Sequence, residues 1–270
     1  VFYHEYPDVN CHLVDIDAVD GGIEQANLDS IAKCLIAESH MVTDGELTAY
    51  RGGNRWQEDY QAVHLESSQP GLPARLRDEG TYLITGGLGG LGMLIAEHIA
   101  SISNAKLVLT YRSHLPEREA WHHWIQQHAI DDPISEKLAC IMKLEEQGNH
   151  VELVNVDASD YIAMSELFEQ YDYFNGIFHT AGIAGGGIIP LKADQDCADV
   201  LEPKILGSLI LDELTQHNPP EFMILFSSIS SIVGDEARID YCSGNAFMDV
   251  FASYRNQNRS GRTIAINWGK

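Results

Sequence analysis

Short apolar runs and longer stretches with helical spacing follow one another along residues 79–270. A short apolar run bounded by turn residues is typical of a buried strand, whereas apolar residues every three or four positions indicate a helix. The predicted strands are Thr81–Thr85, Lys106–Tyr111, His150–Asp157, Gly176–Thr180, Phe222–Ser227 and Thr263–Asn267. This alternation predicts an α/β domain, a doubly wound parallel sheet with helices on both faces.

The connections between these strands carry the predicted helices. One helix opens at a glycine-rich turn and covers Met93–Ala100. The long connection after the second strand holds two more, Glu117–His128 and Ser135–Gln147. No internal repeat or low-complexity tract interrupts this order, so we expect residues 79–270 to form one domain.

Residues 1–65 carry fewer elements. The pattern predicts a strand at Cys11–Asp17, a helix at Glu24–Ser39 and a hairpin over Glu46–Val63 that turns at Gly52-Gly53. These elements are too few to bury a core alone, so we expect this block to be a partial unit that packs on other structure. The composition of residues 66–78, rich in proline, glycine and polar residues, predicts a linker.

Composition narrows the class of protein. The chain has 270 residues, and no apolar run approaches the roughly 20 residues that a membrane span requires. No signal-peptide pattern stands at its start. The five cysteines contain no C-x-x-C pair, which favours reduced thiols over disulfides or a metal site. We therefore expect a cytoplasmic protein with no membrane partner and no bound metal.

The formal net charge of −23 excludes a further class of partner. Nucleic-acid binding needs a basic surface, and anionic membranes repel a chain of this charge. A phosphate-bearing ligand would have to be held by local donors, because the general field of the protein is negative. This argument gives weight to any arginine that stands near a phosphate-binding turn.

A glycine-rich turn follows the first predicted strand and opens a helix. It contains the spacing G-x-G-x-x-G, and a second spacing, G-x-x-G-x-x-G, fits the same residues. In a strand–turn–helix context such glycines let the backbone approach a pyrophosphate at the helix N-terminus. The turn therefore predicts a dinucleotide cofactor, bound by Gly86, Gly87, Leu88, Gly89, Gly90, Leu91 and Gly92.

The ends of the next strands refine this cofactor prediction. The second strand ends at Arg112-Ser113 with no acid, which suits the 2′-phosphate of NADP, although a solvated surface arginine is the alternative. Asp157, followed by Ala158, would accept from the adenine amino group or cap the next helix. The fourth strand ends at His179-Thr-Ala181-Gly182, where small residues admit the cofactor and His179 is cofactor-binding or purely structural.

Four polar residues suit the proton transfer that must accompany hydride addition to a carbonyl. A tyrosine can donate this proton when an ammonium and a second hydrogen-bond donor are near. Ser228 lies at a strand end, Tyr241 follows thirteen residues later, and Asn245 stands one helical turn beyond. Lys204 is one of few lysines in this half of the chain.

The serine–tyrosine spacing resembles the short-chain dehydrogenase/reductase superfamily. In that superfamily a lysine usually stands four residues after the tyrosine, whereas here Asn245 occupies the place. The exchange, with Lys204 in Glu202-Pro-Lys204-Ile-Leu-Gly207, is similar to ketoreductase domains of modular polyketide synthases and hybrid peptide/polyketide synthetases. The N-terminal block resembles the end of their structural subdomain, a degenerate Rossmann half.

This resemblance implies a role for each residue. Tyr241 would donate the proton, and Lys204 would favour loss of that proton from the tyrosine hydroxyl and extend a proton relay. Ser228 would hydrogen-bond the substrate carbonyl, and Asn245 would position Lys204 or a water. The implied cofactor is NADPH. The implied reaction is reduction of a ketoacyl thioester, with a β-keto group preferred, on a phosphopantetheinyl acyl or peptidyl carrier domain of the same synthase.

Several alternatives stay open at this point. They are an α-keto acyl substrate in a peptide synthetase, a freestanding short-chain reductase, and a non-catalytic structural domain. Two family fingerprints of product configuration are absent, because Ala184-Gly185-Gly186 replaces Leu-Asp-Asp and Leu225 replaces a tryptophan. Family members continue beyond the strand at Thr263–Asn267 with a lid, so we expect the chain to be a fragment of a multidomain protein.

Overall fold

A computed structural model describes residues 1–9, 11–16, 25–41, 47–64, 75–129 and 131–269 of the chain. The chain divides into two compact units, Val1–Ser68 and Gln69–Lys270.

The first unit contains a small three-stranded sheet. A short helix α1 (Phe2–Glu5) precedes β1 (Leu13–Ile16), α2 (Gln25–Ser39), β2 (Leu47–Arg51) and β3 (Asn54–Gln57). Strand β1 pairs with β2 in parallel, and β3 returns antiparallel to β2. The turn between them uses Gly52 and Gly53 at φ 56° and 80°, a left-handed backbone that favours glycine.

The predicted hairpin is too long, because β3 ends at Gln57 and not at Val63. Gln57 lies opposite Thr48, so residues beyond 58 would face residues before Leu47, where the described part of β2 begins. The predicted strand at Cys11–Asp17 and helix at Glu24–Ser39 are confirmed within one or two residues over their described parts. Asp17 and Glu24 themselves lie outside the described residues.

A buried carboxylate organises the first unit. Glu38, 2% exposed, accepts hydrogen bonds from Arg55 Nε at 2.6 Å and from the Tyr50 hydroxyl at 2.7 Å. The hydrogen bond from Arg55, assisted by that from Tyr50, lowers the pKa of Glu38. Arg55 also donates to Thr48 on the neighbouring strand, so one polar cluster joins α2 to β2 and β3.

The second unit is a six-stranded parallel sheet in the order β6-β5-β4-β7-β8-β9. Its strands are β4 (Thr81–Thr85), β5 (Lys106–Tyr111), β6 (His150–Asn155), β7 (Gly176–His179), β8 (Phe222–Ser228) and β9 (Arg262–Trp268). The chain winds outward from β4 through β5 and β6, then returns to β7 and winds the other way. The predicted α/β, Rossmann-type doubly wound fold is confirmed, with its switch point between β4 and β7.

In the described residues of this unit, seven α-helices connect or flank the strands. They are α3 (Gly90–Ile102), α4 (Trp121–Gln127), α5 (Pro133–Glu146), α6 (Tyr161–Glu169), α7 (Asp194–Leu214), α8 (Ser230–Val233) and α9 (Ile239–Asn258). The predicted helix Glu117–His128 is a 3-10 turn, Arg118–Ala120, followed by α4. Helix α5 begins at Pro133 because Asp132 caps it by accepting from Ser135 N. None of the described helices is long and apolar enough to cross a membrane.

The central strands of the sheet are buried on both faces. Along β4, Tyr82 and Ile84 join one hydrophobic cluster while Leu83 joins the cluster on the opposite face. Strand β5 repeats this arrangement, with Leu107 and Val108 on opposite faces. Because successive side chains of a strand point to opposite faces, burial of both faces favours apolar residues at consecutive positions. This preference explains the continuous apolar runs in the sequence.

Candidate active site

A cavity of about 370 Å³ opens at the carboxyl ends of β4, β5 and β7. This is the edge of a doubly wound sheet at which ligands bind. Nine residues of the predicted cofactor set line it, namely Gly86, Leu88, Gly89, Arg112, Ser113, Asp157, Ala158, Ala181 and Gly182. The other five, Gly87, Gly90, Leu91, Gly92 and His179, do not line it.

Three glycines shape the turn between β4 and α3. Gly86 has φ 66°, and a Cβ there would lie 2.8 Å from Ala181 Cα on the neighbouring strand end. A Cβ on Gly87 would lie 2.7 Å from Leu109 Cβ, and one on Gly92 would lie 2.6 Å from the carbonyl oxygen of Gly86. Gly87 and Gly92 therefore allow the turn to pack closely on its neighbours, although they do not line the cavity.

The N-terminus of α3 fits a phosphate. Gly89 is its N-cap, and no side chain caps the helix. The first-turn N–H groups of a helix have no intrahelical partner, so they are donors for an anion. A Cβ on Gly90 would meet no atom within 4 Å, which leaves the backbone of this turn accessible. The residues present here fit the pyrophosphate of a dinucleotide.

Arg112 and Asp157 form an ion pair on the cavity wall. Arg112 Nη1 lies 3.0 Å from Asp157 Oδ2, and Asp157 Oδ1 accepts from Ser159 N at 2.9 Å and Ser159 Oγ at 2.6 Å. Burial by itself would raise the pKa of Asp157, but the hydrogen bonds from Ser159 and the Arg112 cation outweigh it and lower the pKa. The helix-cap alternative for Asp157 is wrong, because Asp160 caps α6 by accepting from Ala163 N.

His179 lies beneath the cavity. It is 1% exposed, and its Nδ1 is 2.7 Å from Thr85 Oγ1. Burial, assisted by the charge of Lys204, lowers the pKa of His179 to about 3. Its Nε2 has no hydrogen-bond partner among the described residues. The neutral, buried His179 imidazole joins the end of β7 to β4, which is a structural role in the sheet.

Lys204 approaches Tyr241 from another helix. Lys204, on α7, is 5% exposed, and its Nζ donates to the carbonyl oxygen of Phe226 at 3.2 Å. The same Nζ lies 5.4 Å from the centroid of the Tyr241 ring on α9. Burial lowers the pKa of Lys204 to about 8, although the negative charge of Asp249 opposes this shift. The lysine and tyrosine that the sequence separates by 37 residues are therefore brought together.

Asn245 is fully buried and anchors the turn that carries Tyr241. Its Nδ2 donates to the carbonyl oxygen of Tyr241 at 2.8 Å, and its own carbonyl oxygen accepts from Ser227 Oγ at 3.2 Å. Its Oδ1 has no partner, and no hydrogen bond joins it to Lys204, within the part of the chain that the structure describes. Direct positioning of Lys204 by Asn245 is thus absent from the described contacts.

Ser228 is the last residue of β8, and its hydroxyl contacts Ser230, the first residue of the short helix α8. Its Oγ accepts from Ser230 N at 3.2 Å and from Ser230 Oγ at 2.8 Å. A hydroxyl that accepts in this way keeps its own O–H for donation. Within the described residues, the Ser228 hydroxyl donates to no other group, so its O–H is available to a ligand.

The KR domain family matches residues 80–270 of the chain. The chain belongs to this family. Polyketide synthase PksN of Bacillus subtilis strain 168 is 34% identical to the ketoreductase chain over 252 residues, which are 90% of this chain and 4% of PksN. The 6-methylsalicylic acid synthase of Aspergillus terreus is 34% identical over 198 residues, 71% of this chain and 11% of that synthase.

A solved ketoreductase domain from the bacillaene assembly line has the same fold, with a TM-score of 0.78 at 30% identity. It is covered to 59% by this chain, of which 99% is matched. An N-terminal ketoreductase from the macrolactin assembly line gives the same TM-score at 28% identity, covering 99% of this chain and 50% of that one. The predicted resemblance is confirmed: this is a ketoreductase domain of the polyketide-synthase type, an oxidoreductase that uses a nicotinamide cofactor.

The ketoreductase domain also has a buried ion pair that sequence patterns do not predict. Lys192 Nζ lies 2.6 Å from Asp240 Oδ2, and the two side chains are 4% and 1% exposed. Lys192 donates further to the carbonyl oxygen of Gly186 at 2.7 Å, and Tyr241 N donates to Asp240 Oδ1 at 2.8 Å. The signals in the sequence were the scarcity of lysine and the carboxylate next to Tyr241.

A half-buried network lies behind Ser228. Asp249 Oδ2 accepts from Ser231 Oγ at 2.6 Å and from Asn267 Nδ2 at 2.8 Å. Asn267 Nδ2 also lies 3.3 Å from the carbonyl oxygen of Ser228. The network joins α8, α9 and β9 at the end of β8, and therefore fixes the strand end on which Ser228 lies.

Proposed function

We propose that this ketoreductase domain reduces the keto group of an acyl thioester, with NADPH as the hydride donor. The substrate is carried by a phosphopantetheinyl carrier domain of the same synthase. The observation that carries the proposal is the buried Lys204 ammonium beside the Tyr241 ring. A buried cation next to a phenol suits proton donation to an alkoxide. This arrangement has no evident purpose in a purely structural domain.

The residues of the cavity support the cofactor part of the proposal. The uncapped α3 terminus and Gly86–Gly92 would hold the pyrophosphate, and Ala181 and Gly182 leave room beside it. Arg112 and Ser113 would hold the 2′-phosphate, and Asp157 would lie near the adenine. NADPH, when bound, supplies the hydride.

The protein's own groups would then handle the proton. The Tyr241 hydroxyl donates its proton to the oxygen that becomes the alcohol, and the Lys204 ammonium stabilises the phenolate left behind. Ser228 donates its free O–H to the same substrate oxygen and so polarises the carbonyl. Asn245 holds the backbone of Tyr241, and its unpartnered Oδ1 can accept from a water of the proton relay.

The synthase context supports the proposed partner. The chain spans 4% of PksN and 11% of the Aspergillus terreus synthase, so its relatives are parts of much longer proteins. In such proteins a carrier domain can present each intermediate at high effective concentration. We accordingly propose residues 1–65 as part of a structural subdomain, 66–78 as a linker and 79–270 as the catalytic subdomain, in a cytoplasmic protein.

The cofactor proposal is tested by binding. Losing a charge-assisted contact typically costs about 1.5–3 kcal/mol, so Arg112→Ala should weaken NADPH binding about tenfold and NADH binding little. Arg118→Ala is the control, since Arg118 is 55% exposed, paired with Glu145, and outside the cavity lining. Equal affinity of the parent protein for NADPH and NADH would overturn the preference.

The substrate proposal is tested by comparing four acceptors. The chain is mixed with NADPH and a β-ketoacyl carrier protein, an α-ketoacyl carrier protein, a free β-ketoacyl thioester or a small ketone, and product is measured by mass. Remote binding energy should make the carrier-bound β-keto group the fastest, by about tenfold or more over the free forms. Faster α-keto reduction, equal reduction of small ketones, or NADPH binding without any turnover would favour the three alternatives in turn.

A further inference from the structure

Arg112 alone does not supply the positive charge that a phosphate group in the cavity would need. The Arg112 guanidinium lies 3.0 Å from the Asp157 carboxylate, so the pair contributes no net charge. A phosphate monoester carries about −1.5 to −2 charges near neutral pH. In a chain with a net charge of −23, such a group needs a further local cation.

Lys137 lines the same cavity as Arg112. It occupies the second turn of α5, its side chain is half-buried, and it lines the cavity with Arg112 and Ser113. Across the described ranges 75–129 and 131–269, no hydrogen bond or ion pair engages its ammonium. Lys137 is therefore a half-buried cation with no counter-ion among the residues that the structure describes.

The N-terminus of α5 does not compete for this role. Asp132 accepts from Ser135 N at 2.7 Å and from Ser135 Oγ at 2.8 Å, so a carboxylate already occupies the helix end. These hydrogen bonds from Ser135 also lower the pKa of Asp132, which keeps it charged. The group of α5 that can bind an anion in the cavity is consequently the Lys137 side chain and not the helix terminus.

We infer that Lys137 binds the 2′-phosphate of NADPH and is, with Arg112, a determinant of the preference for NADPH over NADH. The inference rests on the proposed function. The charged residues that line the cavity are Arg112, Lys137 and Asp157, so the lining carries one net positive charge. The 2′-phosphate is the part of NADPH that NADH lacks. Lys137 thus separates the two cofactors, whereas the glycine turn treats them alike.

The test measures affinity and does not depend on turnover. Calorimetric titrations compare Lys137→Met with the parent chain for NADPH, NADH, adenosine 2′,5′-bisphosphate and adenosine 5′-phosphate. Loss of a charge-assisted contact should weaken NADPH and the bisphosphate by about tenfold. NADH and the monophosphate should change by less than about twofold, since neither has the phosphate that Lys137 binds. Lys137→Arg should keep most of the affinity.

Lys143→Met is the matched control. Lys143 lies on the same helix, but its side chain is 64% exposed, lies 4.0 Å from Glu97 and does not line the cavity. Its loss removes the same charge from the protein, so it should leave all four affinities unchanged within about twofold. A decrease equal to that of Lys137→Met would mean that only net charge matters, and would overturn the assignment.

The remaining outcomes separate this inference from the proposed function. Unchanged NADPH affinity in Lys137→Met, in a parent chain that prefers NADPH, overturns the assignment alone. Equal losses for NADPH and NADH overturn it too, because Lys137 would then act on a group that both share. A parent chain that binds neither cofactor overturns the assignment and the proposed function together.

Discussion

One carboxylate, that of Asp240, holds both the Lys192 ammonium at 2.6 Å and the backbone N–H of Tyr241 at 2.8 Å. Because Lys192 also donates to the Gly186 carbonyl oxygen, the loop after β7 and the start of α9 are tied to one another. The loop backbone packs closely against these residues at Gly185, since a Cβ there would lie 2.8 Å from Val200 Cγ2 and 3.2 Å from Asp240 Oδ1. The position of Tyr241 therefore depends on a pair of charges hidden from water.

Lys192→Met should destabilise the protein strongly, since it leaves the buried Asp240 carboxylate without its cation. Removing one partner of a buried pair costs about 3–5 kcal/mol. Lys143→Met, which breaks an exposed pair, should cost under about 1 kcal/mol. Urea denaturation measures both free energies of unfolding. Similar values for the two variants would contradict the role of the Lys192–Asp240 pair, and adding Asp240→Asn to Lys192→Met should recover part of the loss.

Tyr241→Phe should reduce the turnover of the ketoacyl thioester by about 100-fold or more, the scale of one general acid. NADPH affinity and the free energy of unfolding should stay nearly unchanged, because only a hydroxyl is removed. Tyr254→Phe on the same helix is the control, since its side chain is 48% exposed. Single-turnover kinetics with both variants decide the matter, and substantial activity in Tyr241→Phe would mean that another group supplies the proton.

The pH dependence of reduction should report on Lys204. Its pKa is lowered from 10.5 to about 8 by burial, so the ammonium is lost as the pH rises through that value. Reduction should then decrease above about pH 8, because the neutral amine no longer stabilises the phenolate. A profile of kcat/KM against pH measures this, with Lys204→Met as the comparison. A profile of the parent chain that stays flat through this region would contradict the lysine's role.

His179 should make the folded protein sensitive to acid. Its pKa falls from 6.5 in the unfolded chain to about 3 when buried, so below pH 6.5 the unfolded state binds more protons and stability is lost as the pH falls. From pH 6.5 to pH 5 this amounts to about 2 kcal/mol for one group.

Urea titrations at several pH values test this, and His179→Gln should lack that part of the acid dependence. The comparison needs only the slope against pH, because Gln cannot reproduce the contact between His179 and Thr85 in every respect. An unchanged slope in His179→Gln would mean that other groups cause the acid sensitivity.

The sequence predicts the sheet well because both faces of its central strands are buried. The middle positions of strands such as Thr81–Thr85 and Lys106–Tyr111 are apolar and fully buried, so these strands are visible in the sequence and their bounds agree with the structure. Glycines are visible for a similar reason, since Gly86 and Gly92 stand where a Cβ would collide with backbone. Patterns of this kind record local requirements.

Contacts between distant residues are less visible. Nothing in the spacing of Lys192 and Asp240 shows that they meet, because the pair forms only when α9 packs beside the loop after β7. Lys137 lies on a helix face that the amphipathic pattern alone does not direct toward a cavity. The approach of Lys204 to Tyr241 was predicted from the resemblance to ketoreductases, since no periodicity relates residues on different helices.

Because Lys204 and Tyr241 lie on different helices, the distance between them depends on how α7 packs against α9. A lysine four residues after the tyrosine would be held at its distance by the covalent geometry of one helix. Here the stem of Lys204 crosses from α7 to α9, where a Cβ on Gly244 would lie 3.1 Å from Lys204 Cδ. A change in side-chain volume between α7 and α9 would move the Lys204 ammonium relative to the Tyr241 phenol and leave both reacting groups intact. Mutations far from any substrate can thus retune the chemistry by small shifts of one helix against another.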